Sequence, residues 1–91
     1  MFILISYDIT DNDMRNQIAK LLLDYGTRVQ KSVFECIVDE EKYIKLKQKA
    51  ESIIDMEKDS IRYYFICENC KGKIEISGRG AVSEDEDVIV Y

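Results

Sequence analysis

Residues 2–7, Phe2-Ile3-Leu4-Ile5-Ser6-Tyr7, form an almost continuous apolar run. Such a run predicts a central strand with both faces covered. Asp8 follows, where the run stops. Beyond it, Met14, Ile18, Leu21, Leu22 and Tyr25 recur at helical spacing, with Asp11 or Asn12 available as the cap. Gly26 is the expected stop, in the left-handed conformation. The stretch Thr27–Val38 is rich in β-branched residues and alternates loosely; it is one long strand, or two with a break near Lys31-Ser32. A second helix is predicted from about Asp39. Glu40 and Glu41 suit its positive end, and Tyr43, Leu46, Ala50, Ile53 and Ile54 form its apolar stripe. Residues 55–59 read as a loop, 60–67 as a strand, 68–72 as a turn, 73–77 as a strand, and 87–91 as a terminal strand after a Gly-rich and acidic connection.

The order strand, helix, strand material, helix, strand, strand predicts an α+β sandwich: an antiparallel sheet with two helices on one face, ferredoxin-like in outline. Residues 1–78 would be the domain and residues 79–91 an arm carrying the last strand. That strand follows a connection too long for a tight hairpin. It pairs either with the edge of its own sheet or with a partner chain. The second sheet face would be bare, with Phe34, Tyr63, Tyr64 and Phe65 as sources of apolar surface. A bare face of this kind asks for a partner.

Ninety-one residues make one domain with a limited core, for which dimerisation is a reasonable expectation. There is no histidine, which removes the usual general base near neutral pH and the commonest transition-metal ligand. No apolar run approaches the roughly 18 residues of a membrane span, and no basic segment precedes an apolar signal-like stretch. Three cysteines do not make a disulfide framework. These features predict a cytoplasmic protein. The net charge of −5 argues at first against nucleic acid. Four of those charges sit in Glu84-Asp85-Glu86-Asp87, so the rest of the chain is nearly neutral and can carry a local basic ridge.

Four groups could carry chemistry. The first is Tyr7-Asp8. Asp8 is either a residue that helps start the first helix or a metal ligand. One carboxylate holds a hard cation weakly, but a two-fold dimer would bring two copies together around Mg²⁺ or Mn²⁺. Such a metal could acidify water and brace a phosphodiester without a histidine. The second is Arg15 with Lys20, Arg28 and Lys31, which are surface bases or phosphate holders. The third lies in Gln30-Lys31-Ser32-Val33-Phe34. Ser32 could donate to a phosphate or a water, and Phe34 could stack on a base or simply pack. The fourth is Cys67-Glu68-Asn69-Cys70. It supplies two ligands where structural zinc takes four, although a dimer could assemble four thiolates. A redox role would ask the motif to open a helix after a strand. A turn and a strand are expected instead, so the thiols read as structural or incidental.

The strand ending YDI, the segment T-D-N-D-M-R-N, and Y-G-T-R-V-Q-K-S-V-F-E closely resemble the CRISPR-associated protein 2 family. The similarity covers nearly the whole chain, including R-Y-Y-F-I-C-E-N-C-K-G-K-I-E. YDI alone is weak; YDI with RVQ-x-SVFE about twenty residues later is specific. The resemblance implies a ferredoxin-like homodimer, often with the C-terminal strand laid on the partner's sheet. It implies work in CRISPR spacer acquisition, where the dimer bridges copies of the integrase subunit and supports prespacer DNA. It also implies Mg²⁺-dependent endonuclease activity on duplex DNA or single-stranded RNA. On this resemblance Asp8 is the metal ligand, Tyr7 its neighbour, Arg15 the helix arginine, and Arg28, Ser32 and Phe34 belong to the RVQ-x-SVF motif. Some members carry a second basic residue two positions after the helix arginine, where this chain has Gln17. Three other functions stay open. They are a non-catalytic adaptor of the integration complex, a toxin-type endoribonuclease of the same fold, and a small-molecule regulatory domain.

Overall fold

The computed structural model describes residues 1–73 and 75–78. The elements run β1 (Phe2–Asp8), α1 (Asn12–Leu23), β2 (Gly26–Gln30), β3 (Val33–Ile37), α2 (Glu40–Ile53), β4 (Ser60–Ile66) and a single helical turn, α3 (Glu68–Lys71). The strands form one antiparallel sheet in the order β2-β3-β1-β4. This is the expected α+β sandwich in its ferredoxin-like arrangement. The apolar strand β1 sits between two neighbours, as its composition requires.

Both helices start where the sequence supplies a cap. The Asp11 carboxylate accepts from the Met14 N–H, and that of Asp39 from the Lys42 N–H. Ile18 and Leu22 of α1 and Leu46 and Ala50 of α2 then pack onto Ile3, Ile5 and Tyr7 of β1 and Phe34 and Cys36 of β3. These strand residues alternate along their chains, so the core lies on one face of the sheet. No helix among the described residues is long and apolar enough to cross a membrane.

In four places the structure decides between the sequence expectations or departs from them. Thr27–Val38 is two strands, with its break at Lys31 and Ser32. Gly26 does not end α1. Asp24 closes the helix in the right-handed region, and Gly26 opens β2 opposite Cys36. Its missing side chain serves close approach: a Cβ there would lie 2.2 Å from the Glu35 carbonyl oxygen and 2.6 Å from the Cys36 sulfur. Gly26→Ala is therefore expected to cost about 1–3 kcal/mol, because β3 backbone cannot yield as a side chain would. A shift of the urea midpoint at constant slope would show it; an unchanged midpoint would mean that β2 pairs with β3 less closely than this.

Third, three of the four rings expected on the bare face belong to the other one. Phe34 and Tyr63 both pair with Ile5, and Phe65 pairs with Ile3. Directly opposed residues share a face, so these rings join the helix side, where Tyr63 and Phe65 meet Tyr43 edge to face. Tyr64 stays on the open face with Leu4, its partner in the register. Fourth, residues 75–77 form no strand. Cys67 caps α3, a single helical turn, immediately after β4. The terminal strand at 87–91, the acidic run and any exchange between protomers lie outside the described residues.

Candidate active site

Asp8 ends β1 opposite Ser60, exposed to solvent. By strand alternation its side chain lies on the side of Leu4 and Ser6, the open face. Tyr7 points the other way. Its ring is buried and lies 6.3 Å from that of Phe34, at 29° between planes. The chain then turns at Ile9, which is also buried, and enters α1.

Beyond the β1–β3 ladder, two turn carbonyls fasten the β2–β3 hairpin to the end of β1. The Lys31 carbonyl oxygen accepts from the Tyr7 hydroxyl at 3.1 Å and from Arg28 Nε at 3.0 Å, with Arg28 Nη2 as a third donor. The Tyr7 N–H donates to the Ser32 carbonyl oxygen at 3.1 Å. The register shifts between Arg28 and Gln30, a bulge of the kind that re-aims side chains beside sites. Arg28 then lies over the Phe34 ring, 5.6 Å from its centroid. On the other wall, Arg15 Nη1 donates to the Ile9 carbonyl oxygen at 3.0 Å and Nη2 donates to Asn12 Oδ1.

These contacts frame a cleft of about 420 Å³. Tyr7, Asp8 and Ile9 line it from the end of β1, Arg15 and Asn16 from α1, and Arg28, Lys31 and Ser32 from the hairpin. Five of the six residues singled out by sequence thus share one cleft. Lys31, grouped with the bases, joins them; Lys20 does not line it. Phe34 is the correction. Its ring is fully buried, so it packs beneath Tyr7 and Arg28 and cannot stack on a nucleobase. Asn16 and the Lys31 carbonyl were not foreseen. Asn16 is polar on a polar helical turn, and a backbone acceptor has no signature in sequence.

The chemistry of the cleft is that of an anion receptor: three cationic side chains around one carboxylate. Both arginines spend donors on the protein's own acceptors, which fixes their planes and leaves further N–H groups for a ligand. No hydrogen bond or salt bridge within the described residues engages the Asp8 carboxylate. Its oxygens are available to a cation. Among the described residues, no three or more His, Cys, Asp or Glu side chains are grouped so that they could hold a metal ion. A hard cation would therefore need ligands beyond the described residues, such as a second copy, water or substrate phosphate.

Tyr7 is the residue through which β1 positions the hairpin. Tyr7→Phe removes one of three donors to the Lys31 carbonyl and keeps the ring. The expected loss is about 1 kcal/mol of stability, read as a lower urea midpoint. An unchanged midpoint would leave the fastening to the Tyr7 N–H and the β1–β3 ladder.

A ferredoxin-like sandwich with a carboxylate among three cations at the end of its first strand defines a class: small α+β proteins suited to phosphate-bearing ligands. Comparison with known proteins narrows this. The family model described as CRISPR associated protein Cas2 matches residues 1–74, and the chain belongs to this family. It is 46% identical to the CRISPR-associated endoribonuclease Cas2 1 of Chloroflexus aurantiacus, over 99% of each chain. It is 41% identical to the CRISPR-associated endonuclease Cas2 of Halalkalibacterium halodurans, over the full length of both. Among solved structures, Streptococcus pyogenes Cas2 at pH 6.5 superposes with a TM-score of 0.78 at 37% identity, over 86% of this chain and all of that one. A chain of a partial Cas6-RT-Cas1–Cas2 complex superposes at 0.73 and 29% identity, over 82% of this chain and 88% of that one.

Proposed function

We propose that the protein is a Mg²⁺-dependent endonuclease of CRISPR spacer acquisition, acting as a homodimer that bridges the integrase subunits and prespacer DNA. The observation that carries the catalytic part is the exposed, uncommitted Asp8 carboxylate at a cleft lined by Arg15, Arg28 and Lys31. Relatives named endonuclease and endoribonuclease support the reaction class. The likeness to a chain in a complex containing Cas1 supports the integrase as partner.

The open sheet face supports the dimer. Leu4, Val33 and Ile37 are only half buried there, and Tyr64 is exposed beside them. Two copies packed across this face on a two-fold axis would bring their Asp8 residues toward one another. The pair would hold Mg²⁺, with Mn²⁺ as a substitute. When bound, the ion supplies an acidified water and neutralises charge on the phosphate. The remaining steps belong to the chain's own residues. Arg15 and Arg28 hold phosphate oxygens through the N–H groups that their internal bonds leave over. Lys31 adds a mobile positive charge, and the Ser32 hydroxyl orients the scissile phosphate or the attacking water.

The second reading is an adaptor without physiological cleavage, favoured by the internal commitment of both arginines. A toxin-type endoribonuclease would use the same residues on RNA alone. The experiment is cleavage of end-labelled duplex DNA and single-stranded RNA with Mg²⁺, Mn²⁺ or EDTA, with sizing of the protein and its binding to the integrase subunit and to duplex DNA measured at the same concentrations. Metal-dependent cleavage by a dimer is expected. Integrase and DNA binding without cleavage would establish the adaptor, and cleavage confined to RNA without integrase binding the toxin.

A further inference from the structure

The function above leaves Cys67 and Cys70 unused, and their setting differs from that expected. They open a helical turn directly after a strand. Cys67 caps that turn, and its sulfur accepts from the Cys70 N–H at 3.4 Å. The sulfur of Cys67 is thereby turned toward Cys70 instead of outward. Residues three apart on one helical turn have Cβ atoms about 5–6 Å apart; a disulfide holds them at about 3.5–4.5 Å, so closing the bridge needs a small shift of the turn's backbone as well as rotation of the side chains. Both thiols are exposed, whereas the third, Cys36, is wholly buried in the core.

We propose that Cys67 and Cys70 form a thiol–disulfide exchange site that takes low-molecular-weight disulfides of the glutathione type. Cys67 is the attacking thiol and Cys70 the resolving one. The Cys67 thiolate attacks one sulfur of the small disulfide. The S–S bond of that disulfide breaks, and its second half leaves as a thiolate and is protonated. A mixed disulfide remains on Cys67. Cys70 then loses its proton and attacks the Cys67 sulfur, expelling the other half as a second thiol. Two protein thiols are oxidised by two electrons, one small disulfide is reduced to two thiols, and the protons lost by the protein end on those thiols.

The division of labour follows the local hydrogen bonds. Donation from Cys70, first from its backbone and then from its thiol, lowers the Cys67 thiol below the ordinary value. The same thiol contact and the charge of Cys67 raise Cys70. Burial pushes the Cys36 thiol up to about 11, with a smaller push from Glu35. Cys36 is inert for this chemistry and serves as an internal control. The bridge would close a loop of only four residues, so it adds little stability and is easily reduced. That suits reversible exchange and not a structural staple. The pair lies at the Phe2 end of the sheet, where the Lys71 ammonium sits 5.3 Å from the Phe2 ring centroid, and Asp8 is at the other end of β1. Exchange therefore stands apart from the cleavage chemistry.

The test equilibrates the folded protein with a series of reduced-to-oxidised glutathione ratios, quenches with acid, alkylates and weighs it. As oxidised glutathione rises, the wild type is expected to lose two hydrogens, mapped to the Cys67–Cys70 peptide and restored by dithiothreitol. Cys36 should be alkylated only after unfolding. Cys70→Ser should accumulate one glutathione on Cys67, and Cys67→Ser should react several-fold more slowly at Cys70. Stable glutathione adducts on the wild type, disulfides between chains, or no change across the series would each overturn the proposal.

Discussion

Asp8→Asn is expected to lower metal-dependent cleavage by about 10²-fold or more while leaving the folded chain as stable as before. The two halves of this result come from the same geometry. The carboxylate is exposed and engages no partner within the described residues. Its removal should therefore change stability by less than about 0.5 kcal/mol. The amide keeps the shape of the side chain and loses the charge that would hold a divalent cation in a cleft already crowded with positive charge. In a dimer the substitution acts twice, once from each protomer. The measurement is the rate on the better nucleic-acid substrate for wild type and variant prepared in parallel, with thermal unfolding of both. Equal rates would assign the cutting to another group or another protein. A variant that has lost cleavage but still assembles with integrase and DNA would separate the catalytic role from the bridging one.

Much of this site was legible in sequence because β1 and α1 are built from local signals. The apolar run ends at Tyr7, Asp11 caps the helix, and short-range geometry places Asp8 before that cap and Arg15 after it. The β2–β3 hairpin was half legible. Its motif named Arg28 and Ser32, yet the carbonyl of Lys31 that gathers Tyr7 and Arg28 is backbone, and its use depends on a turn no side chain announces. Other features turned on register. Gly26 reads as a helix stop, and only the close approach of β3 shows it to be a strand residue. Phe34, Tyr63 and Phe65 alternate correctly, but the phase that sends them to the helices is set by pairing with β1. A turn is expected at 68–72, but not its helical form or its cap at Cys67, because four residues carry too little periodicity to show a helix.

Phe34→Ala is expected to cost about 3–5 kcal/mol, the largest stability effect of any change around the cleft. The ring is fully buried, and it bears on the Tyr7 ring on one side and the Arg28 guanidinium on the other. Truncation would leave a cavity under both, and the packing around it, with Ile5 in direct register, gives little room to collapse. For a domain of this size each kcal/mol moves the unfolding midpoint by roughly 4–8 °C. A fall of more than about 12 °C is therefore expected at fixed protein concentration. Phe34→Leu keeps most of the volume and should cost less than about 1.5 kcal/mol, while removing the ring from Arg28. Comparing the two separates the ring's duties. If Phe34 acts only by packing, the leucine variant retains nucleic-acid affinity, and the alanine variant loses it only in proportion to its unfolding. A base-stacking role would instead weaken nucleic-acid binding in both variants at temperatures where both are folded. That result would require Phe34 to leave the core on binding, and Arg28 and Tyr7 to move with it.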